Sequence, residues 1–438
     1  MTDNPTPIPR SAEAVVAIGP MGNSSTRSHL AALSAFSFLI AAVQTGFGPF
    51  VSVWLTESGF SQRDVGLVLS VGTISGMVGQ IPAGVLIDAF PHRRLLIGLA
   101  LAMLAISALL LGLFPTLVPV MGAEMLHGLA SAVLVPATAA LTLALVGHEN
   151  FGERVGINAR YSSVGNALFA AVLGLWGTWL PERGVLLLTA AMVVPALMAL
   201  LLIPVRPDDI AAPPSAEEAM PAAPAPDVPA SRWRDLLDEP GFIPFLLCAA
   251  LFHVANAAML PLALNTYVAG VEGADWIIAA CIIVPQLVVA LLSPWVGRVA
   301  QAWGRKPVLL LGFLALPLRG VICAMLPNPI LLVPVQLLDG LSAAVFGIMV
   351  PLIAADLGGR LACLNLAISA ISLSVALGAT VSTTLAGWIS DSAGPRTAFL
   401  ALAAAGALAA FLVRCLMPET RPVARPLVPP ARVQSPVG

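Results

Sequence analysis

Two ionisable residues, Glu124 and His127, lie three positions apart inside a long apolar segment of this 438-residue chain. Residues at i and i+3 share one face of a helix, so the two side chains are predicted to lie together. A carboxylate beside an imidazole can bind and release a proton near neutral pH. We interpret Glu124 and His127 as candidates for proton coupling. The alternative is a hydrogen-bonded pair that holds helices together.

Arg319 and Asp339 form a second pair of candidate groups, on two apolar segments joined by the turn 327–329. Each lies about eight to ten residues from that turn, which places both at a similar depth. The pattern predicts a buried ion pair, either a structural clamp or part of a substrate site. If Asp339 instead faces a cavity, it is a further candidate for proton coupling, and Arg319 is free to bind an anionic group.

Four other polar side chains interrupt apolar segments: Gln44, Asn256, His253 and Gln286. Hydrogen bonds from such groups can orient a small molecule in an apolar pocket. Isolated polar residues in membrane helices serve as interhelical contacts as often. We interpret these four, together with Arg319, as candidate substrate-binding residues.

The composition identifies the environment of these residues. The chain is 58% hydrophobic and 10% charged, and its mean hydropathy is +0.93. Ordinary soluble domains contain about 25% charged residues. Most of the surface must therefore face lipid, which excludes a soluble enzyme, a coiled coil and a disordered chain.

Several chemical classes lack their sequence signatures. The five cysteines are widely spaced without a CxxC pair, so neither a metal site nor a disulfide framework is expected. The net charge is −2, and no basic cluster suggests a nucleic-acid partner. Hydrolase motifs and a phosphate-binding loop are missing, so we expect no enzyme activity and no cofactor. Without a nucleotide-binding loop, a chain that moves molecules across a membrane would need an ion gradient as its energy source.

Twelve apolar runs are long enough to cross a bilayer, which requires about 20 residues. The predicted spans are 30–55, 64–86, 93–114, 117–147, 158–180, 184–204, 243–268, 274–297, 307–327, 329–356, 362–388 and 396–417. Of the 21 Lys and Arg residues, 17 fall on the side of the two termini, three on the other side, and Arg319 within a span. This asymmetry predicts that both termini are cytoplasmic.

The spans divide the chain into two bundles and three polar segments. We predict an N-terminal tail (1–28), a six-helix bundle (29–204), an Ala- and Pro-rich linker (205–240), a second six-helix bundle (241–417) and a C-terminal tail (418–438).

The two bundles repeat one another at an offset of 212 residues. The matched features are Gln44 with Asn256, Pro49 with Pro261, Pro82 with Pro294, Arg93–Arg94 with Arg305–Lys306, and 126–129 with 338–341. Each copy has an even number of spans, so the copies share one orientation. Two such bundles can enclose a polar site near mid-membrane and rock around it.

The loop after the second span, GVLIDAFPHRR from Gly84 to Arg94, resembles the G-x-L-x-D-x-x-G-x-R-R/K motif of the major facilitator superfamily. The loop after the eighth span, from Gly297 to Lys306, is a shorter version with Gln301 at the acidic position. The resemblance implies an all-α membrane protein with twelve transmembrane helices in two pseudo-symmetric six-helix bundles.

The resemblance also implies a gating role for these loops. Asp88, Arg93 and Arg94 would latch the cytoplasmic side closed, with Gly84 allowing close helix approach. Gly297, Arg305 and Lys306 are the corresponding residues of the second loop. The alternative for the arginines is that they only anchor the chain on the positive side of the membrane.

These patterns favour a secondary transporter of the bacterial inner membrane. We expect a monomer that moves a small organic molecule by alternating access and exchanges protons with the surrounding water, with the lipid bilayer as its other partner. Export is the preferred direction. The alternatives are proton-coupled uptake of a metabolite or metal chelate, and a non-transporting sensor on the same scaffold.

Overall fold

The computed structural model describes residues 24–47, 51, 54–55, 58–90, 92–176, 182–203, 229–268 and 275–421. Most of the predicted tail 1–28 and linker 205–240, the end of the tail 418–438, and Pro49 lie outside these residues. The described N-terminal half is helical: α1 (Ser24–Thr45), α2 (Gln62–Ala89), α3 (Arg93–Leu113), the continuous stretch Leu117–Trp176, and α6 (Glu182–Leu201).

Gly147 divides the stretch Leu117–Trp176 into two transmembrane helices. At 1.5 Å per residue, a straight helix of this length would measure about 90 Å, three times the thickness of the hydrocarbon. Gly147 adopts φ 68° and ψ 173°, a left-handed conformation that suits glycine. The chain turns back there, giving α4 (117–146) and α5 (148–176).

α5 begins about ten residues before its predicted start at 158, because the polar residues after Gly147 are helical rather than a loop. Arg154 is 7% exposed, and its guanidinium donates to Leu30 O at 2.7 Å and to Ser34 Oγ at 2.8 Å. A polar turn of helix can therefore be buried when it binds the neighbouring helix.

The C-terminal half begins with α7 (Pro229–Asp238), which lies within the predicted linker. Its Leu236 is buried against the core of this half. The remaining helices are α8 (Phe242–Asn256), α9 (Met259–Tyr267), α10 (Asp275–Trp303), α11 (Arg305–Ala324), α12 (Leu332–Gly358), α13 (Leu364–Ala393) and α14 (Pro395–Leu416). Eleven described stretches are long and apolar enough to span a membrane, with α4 and α5 counted as one. The twelve predicted spans are confirmed.

The first span of each half is broken at an equivalent position. α1 ends at Thr45 rather than near 55, and Gly46 and Phe47 form a turn. In the other half, the chain turns at 257–258 between α8 and α9. These turns follow the symmetry mates Gln44 and Asn256 directly, so both amides lie at a break in a transmembrane helix.

The helices of the two halves pack in the same pattern. α1 packs on α5 and α6, and α8 packs on α13 and α14. α3 packs on α4 and α6, and α11 packs on α12 and α14. The hydroxyls of Ser162 and Ser374, 212 residues apart, donate to the carbonyl oxygens of Ser37 and Leu246. The predicted pair of pseudo-symmetric six-helix bundles is confirmed.

The two most extensive helix crossings between the halves are α2 with α13 and α5 with α10. At the first, a Cβ on Gly84 would lie 2.7 Å from Ser369 Oγ and 2.8 Å from Asn365 O. At the second, Gly297 faces the backbone of Gly152. The absence of a side chain lets each pair of helices approach closely, at the end of the molecule where α2 ends and α13 begins.

Asp88 binds the first turn of α13 across this junction. Its carboxylate accepts hydrogen bonds from Asn365 N at 3.1 Å, Asn365 Nδ2 at 2.6 Å and Leu366 N at 2.8 Å. These backbone N–H groups carry the positive end of the α13 dipole. A side chain of one half therefore caps a helix of the other.

The basic residues of the two loops are placed differently from Asp88. Neither Arg93 nor Arg94 forms a salt bridge within the described part of the chain. Arg305 is paired with Asp356 of its own half, at 2.8 Å, and the Lys306 backbone N–H donates to Glu419. Of the predicted gating residues, Gly84, Asp88 and Gly297 contact the other half directly.

We predict that Asp88→Ala loosens the α2–α13 junction. Loss of a charged cap costs about 1–2 kcal/mol, so the first turn of α13 should exchange its amide hydrogens about 5–30-fold faster. Hydrogen–deuterium exchange resolved at peptide level measures this change.

The matched control is Asp391→Ala, which removes an exposed carboxylate at the opposite end of α13. It should leave the exchange of the first turn unchanged. Equal exchange in Asp88→Ala and the unmodified protein would contradict the latch.

Candidate functional site

A cavity of about 1000 Å³ lies between the two halves. The polar residues of its lining lie on the N-terminal wall, and the C-terminal wall is apolar apart from Ser372. The N-terminal wall combines apolar residues with Gln44, Thr73, Glu124, His127, Ser131 and Asn158. The apolar wall includes Phe346, Val350, Ile368, Ile371 and Val375. A volume of this size suits a small organic molecule.

Glu124 is held in the cavity wall by close packing of α2 on α4. Gly72 of α2 lies beside it, where a Cβ would be 2.5 Å from Glu124 Oε2. Glu124 is 4% exposed, and its Oε1 has no hydrogen-bond partner among the described residues. A buried carboxylate oxygen without a partner is costly, so this atom is available to a proton or a ligand.

His127 connects Glu124 to Gln44. Its Nε2 lies 3.2 Å from Gln44 Oε1, and its Nδ1 lies 3.7 Å from Glu124 Oε2. Phe47, in the turn after α1, stacks on the imidazole with centroids 4.3 Å apart and planes at 8°. The break in the first span thus positions both a hydrogen-bond partner and an aromatic partner for this ring.

This geometry provides a place for one proton between Glu124 and His127. With the Gln44 amide oriented as it is, Oε1 accepts, so His127 Nε2 carries a hydrogen. The other ring nitrogen, Nδ1, then faces the carboxylate, and a proton held by either group is favourable there. Loss of that proton leaves a lone pair facing a negative charge.

Arg319 lies at the centre of a separate buried cluster in the C-terminal half. It is 1% exposed and donates to Asp339 Oδ1 at 2.5 Å, Asn256 Oδ1 at 2.8 Å and Gln336 Oε1 at 3.0 Å. The predicted ion pair is present. None of these residues is among those that line the cavity, so the structure does not bring Arg319, Asn256 and Asp339 to the same site as Glu124.

The remaining candidates, His253 and Gln286, also lie outside the cavity lining. His253 Nδ1 lies 3.2 Å from Ala249 O of its own helix. Its ring packs edge-on against Phe346, at 4.9 Å and 67°, and therefore stands one layer behind the apolar wall. Gln286 is half-buried on α10.

Some residues of the cavity lining were not predicted from the sequence. Ser131, Thr138 and Thr142 line the cavity on the same face of α4 as Glu124 and His127. Their spacing of three, four and seven residues is the signal that could have found them. Ser131 Oγ also donates to Gln44 Oε1, at 3.3 Å.

We predict that Arg319→Met and Asp339→Leu are each strongly destabilising, because each leaves the other charge buried without its partner. Breaking a buried pair costs about 3–5 kcal/mol. Thermal unfolding of the detergent-solubilised protein measures the loss.

The double variant Arg319→Met/Asp339→Leu removes both charges and should recover much of that cost. Strictly additive losses in the double variant would contradict a coupled pair.

Comparison with known proteins identifies the family. Residues 33–285 and 269–437 match the family model for the Major Facilitator Superfamily. An uncharacterized MFS-type transporter of Mycobacterium tuberculosis is 34% identical over 399 residues, which cover 89% of this chain and 93% of the relative. The multi-drug resistance efflux pump PmrA of Streptococcus pneumoniae is 28% identical over 194 residues, 44% of this chain and 48% of the pump.

Solved structures show the same fold. The transporter FucP, in its outward conformation, superposes with a TM-score of 0.72 at 16% identity, covering 89% of this chain and 99% of FucP. The human organic anion transporter MFSD10 superposes with a TM-score of 0.65 at 15% identity, covering 89% of this chain and 99% of MFSD10. With its duplicated bundles and central cavity, the chain belongs to the Major Facilitator Superfamily, a family of membrane transporters rather than enzymes.

Proposed function

We propose that the protein is a proton-coupled secondary transporter that exports a small organic molecule across the bacterial inner membrane. The observation that carries this proposal is the Glu124–His127 pair in the wall of the cavity between the halves. An ionisable group inside a membrane protein is costly, and it marks a proton or substrate pathway by default.

The pair supports coupling because one proton satisfies it and the cavity gives that proton a route. Among the described residues Glu124 Oε1 has no hydrogen-bond partner, while His127 Nδ1 lies 3.7 Å from Glu124 Oε2. When the cavity opens to a side rich in protons, the pair would take one up. When it opens to the other side, the pair would release it.

The junctions between the halves support alternating access. They lie at the end where Asp88 caps α13 and Gly297 meets Gly152. They combine hydrogen bonds and glycine packing with apolar contacts, since Phe151 and Val155 of α5 belong to the same buried cluster as Val296 and Ala300 of α10. The hydrogen bonds among them contribute about 0.5–1.5 kcal/mol each, so the halves could separate at this end and close at the other.

Export is supported by the similarity to the efflux pump PmrA. The same geometry would serve proton-coupled uptake, so direction needs its own measurement. Inverted membrane vesicles with an imposed acid-inside pH gradient provide it, with a panel of toxic aromatic compounds as probes. Gradient-driven accumulation inside these vesicles supports export, and movement in the opposite direction supports uptake.

We predict that Glu124→Gln abolishes proton-driven transport, because the amide fills the same space without binding a proton. In the same vesicles, a transported compound should discharge the pH gradient with the unmodified protein and not with the variant. At saturating compound, exchange without a gradient should persist, since exchange needs no net proton movement.

The control is Asp391→Asn, which removes one carboxylate from an exposed position outside the cavity and should retain pH-linked transport. Discharge of the gradient by Glu124→Gln at the unmodified rate would contradict the role of this residue in coupling.

A further inference from the structure

Each half contains a four-residue cluster at positions related by the 212-residue offset. The pairs are Gln44 with Asn256, Ser107 with Arg319, Glu124 with Gln336, and His127 with Asp339. In both halves the members come from the corresponding helices: α1 and α8, α3 and α11, α4 and α12. The duplication therefore allows each cluster to be compared with its copy in the other half.

In the C-terminal cluster, three oxygen acceptors surround a cation. The guanidinium of Arg319 donates to Asn256, Gln336 and Asp339. The cation is supplied by the protein itself, and it is buried almost completely. In this copy the Arg319 guanidinium therefore occupies the position that a ligand cation would take.

The N-terminal cluster keeps two of the acceptors, Gln44 and Glu124, has His127 in place of Asp339, and lacks the cation. Serine replaces the arginine at 107, and its hydroxyl donates to Ala123 O at 2.7 Å. Glu124 provides a carboxyl group where the other half has the amide of Gln336. Its Oε1 is buried without a hydrogen-bond partner among the described residues, and Gln44, Glu124 and His127 all line the cavity.

We propose that Gln44, Glu124 and His127 form a binding site for a cationic group of the transported molecule, an ammonium or a guanidinium. Arg319 occupies the corresponding position in the C-terminal half permanently. The inference rests on the proposed transport function and adds the class of substrate.

The rest of the cavity fits an organic cation with an apolar body. Its described lining contains neither Lys nor Arg, so no permanent cation there would repel a positive charge or bind a carboxylate. The facing wall offers Phe346, Ile368 and Ile371 to an apolar or aromatic body. A cation bound at Glu124 replaces the proton held between Glu124 and His127, so substrate and proton compete for one site.

A matched series of probes tests the site. Phenylbutylamine, phenylbutylguanidine, phenylbutanol and phenylbutyrate share one apolar body and differ in the charge of the head group. Binding to the purified full-length protein is measured by isothermal titration calorimetry near neutral pH, without a membrane gradient. The two cations should bind at least about tenfold more tightly than the alcohol, and binding should release protons to the buffer.

Two variants and one control locate the residues responsible for the cation preference. Glu124→Gln should reduce the preference for the cations to less than about twofold while leaving phenylbutanol binding unchanged, whereas Asp391→Asn should retain it. Ser107→Arg should supply an internal guanidinium and exclude the cationic probes. If Ser107→Arg does not fold, Glu124→Gln decides alone.

The proposal is overturned if phenylbutyrate binds best, if the cation preference survives in Glu124→Gln, or if neither cation binds more tightly than about 1 mM. Failure of this substrate proposal can be distinguished from failure of the transport proposal. Intact cation preference with no pH-linked transport would refute coupling alone. Proton-driven transport without cation preference would refute the substrate class alone.

Discussion

Hydrocarbon solvates no charge, so each ionisable group carried into the membrane must find its partner within the protein. The charge of Arg319 meets the opposite charge of Asp339, and its terminal nitrogens donate to three acceptors at 2.5–3.0 Å, although its Nε has no partner among the described residues. No described salt bridge joins Glu124 to a Lys or Arg: one of its oxygens faces His127, and the other has no hydrogen-bond partner among the described residues. Glu124 lies in the cavity wall and Arg319 does not. The presence of a permanent opposite charge thus separates a group that fixes helices from one that can exchange its ligand.

In a membrane, hydrophobic burial does not drive helices together, because lipid tails are as apolar as leucine. Close packing at small residues positions the helices instead. Gly72 allows α2 to lie against Glu124, and Gly128 in turn faces the backbone of Gly72. The symmetry mate of Gly128 is Gly340, which packs against α10 at Val288 and Pro285. A methyl group at such a crossing would push the helices apart. At Gly72 it would also displace the carboxylate from its place in the cavity wall.

The sequence predicted features that follow from composition and repetition. Hydropathy located the spans, and the offset related Gln44 to Asn256 and His127 to Asp339. The sequence did not predict helix where buried polar residues bind a neighbouring helix. Arg154 is buried because Leu30 and Ser34 accept its hydrogen bonds, and α5 therefore starts earlier than predicted. The sequence also could not show which polar groups share a cavity, because that depends on the distance between helices. The separation of Glu124 from Asp339, and the wall formed by Phe346 and Ile368, required the fold.

A single helix connects the candidate site to the junction that closes one end of the molecule. α2 contacts Glu124 at Gly72 and caps α13 at Asp88, 16 residues further on, a distance of about 24 Å along the helix axis. Pro82 lies between these two contacts and removes one backbone hydrogen bond of α2, so the helix can bend there. The crossing at Gly72 and the cap at Asp88 therefore lie on one helix, on opposite sides of the point where it bends most easily. At the other crossing, Gln301 holds the acidic position and accepts from Arg305 of its own half. The charged group that crosses between the halves there is Arg160, whose Nε donates to Ala290 O at 2.9 Å. A carboxylate caps a helix at one crossing, and a guanidinium binds a backbone carbonyl at the other.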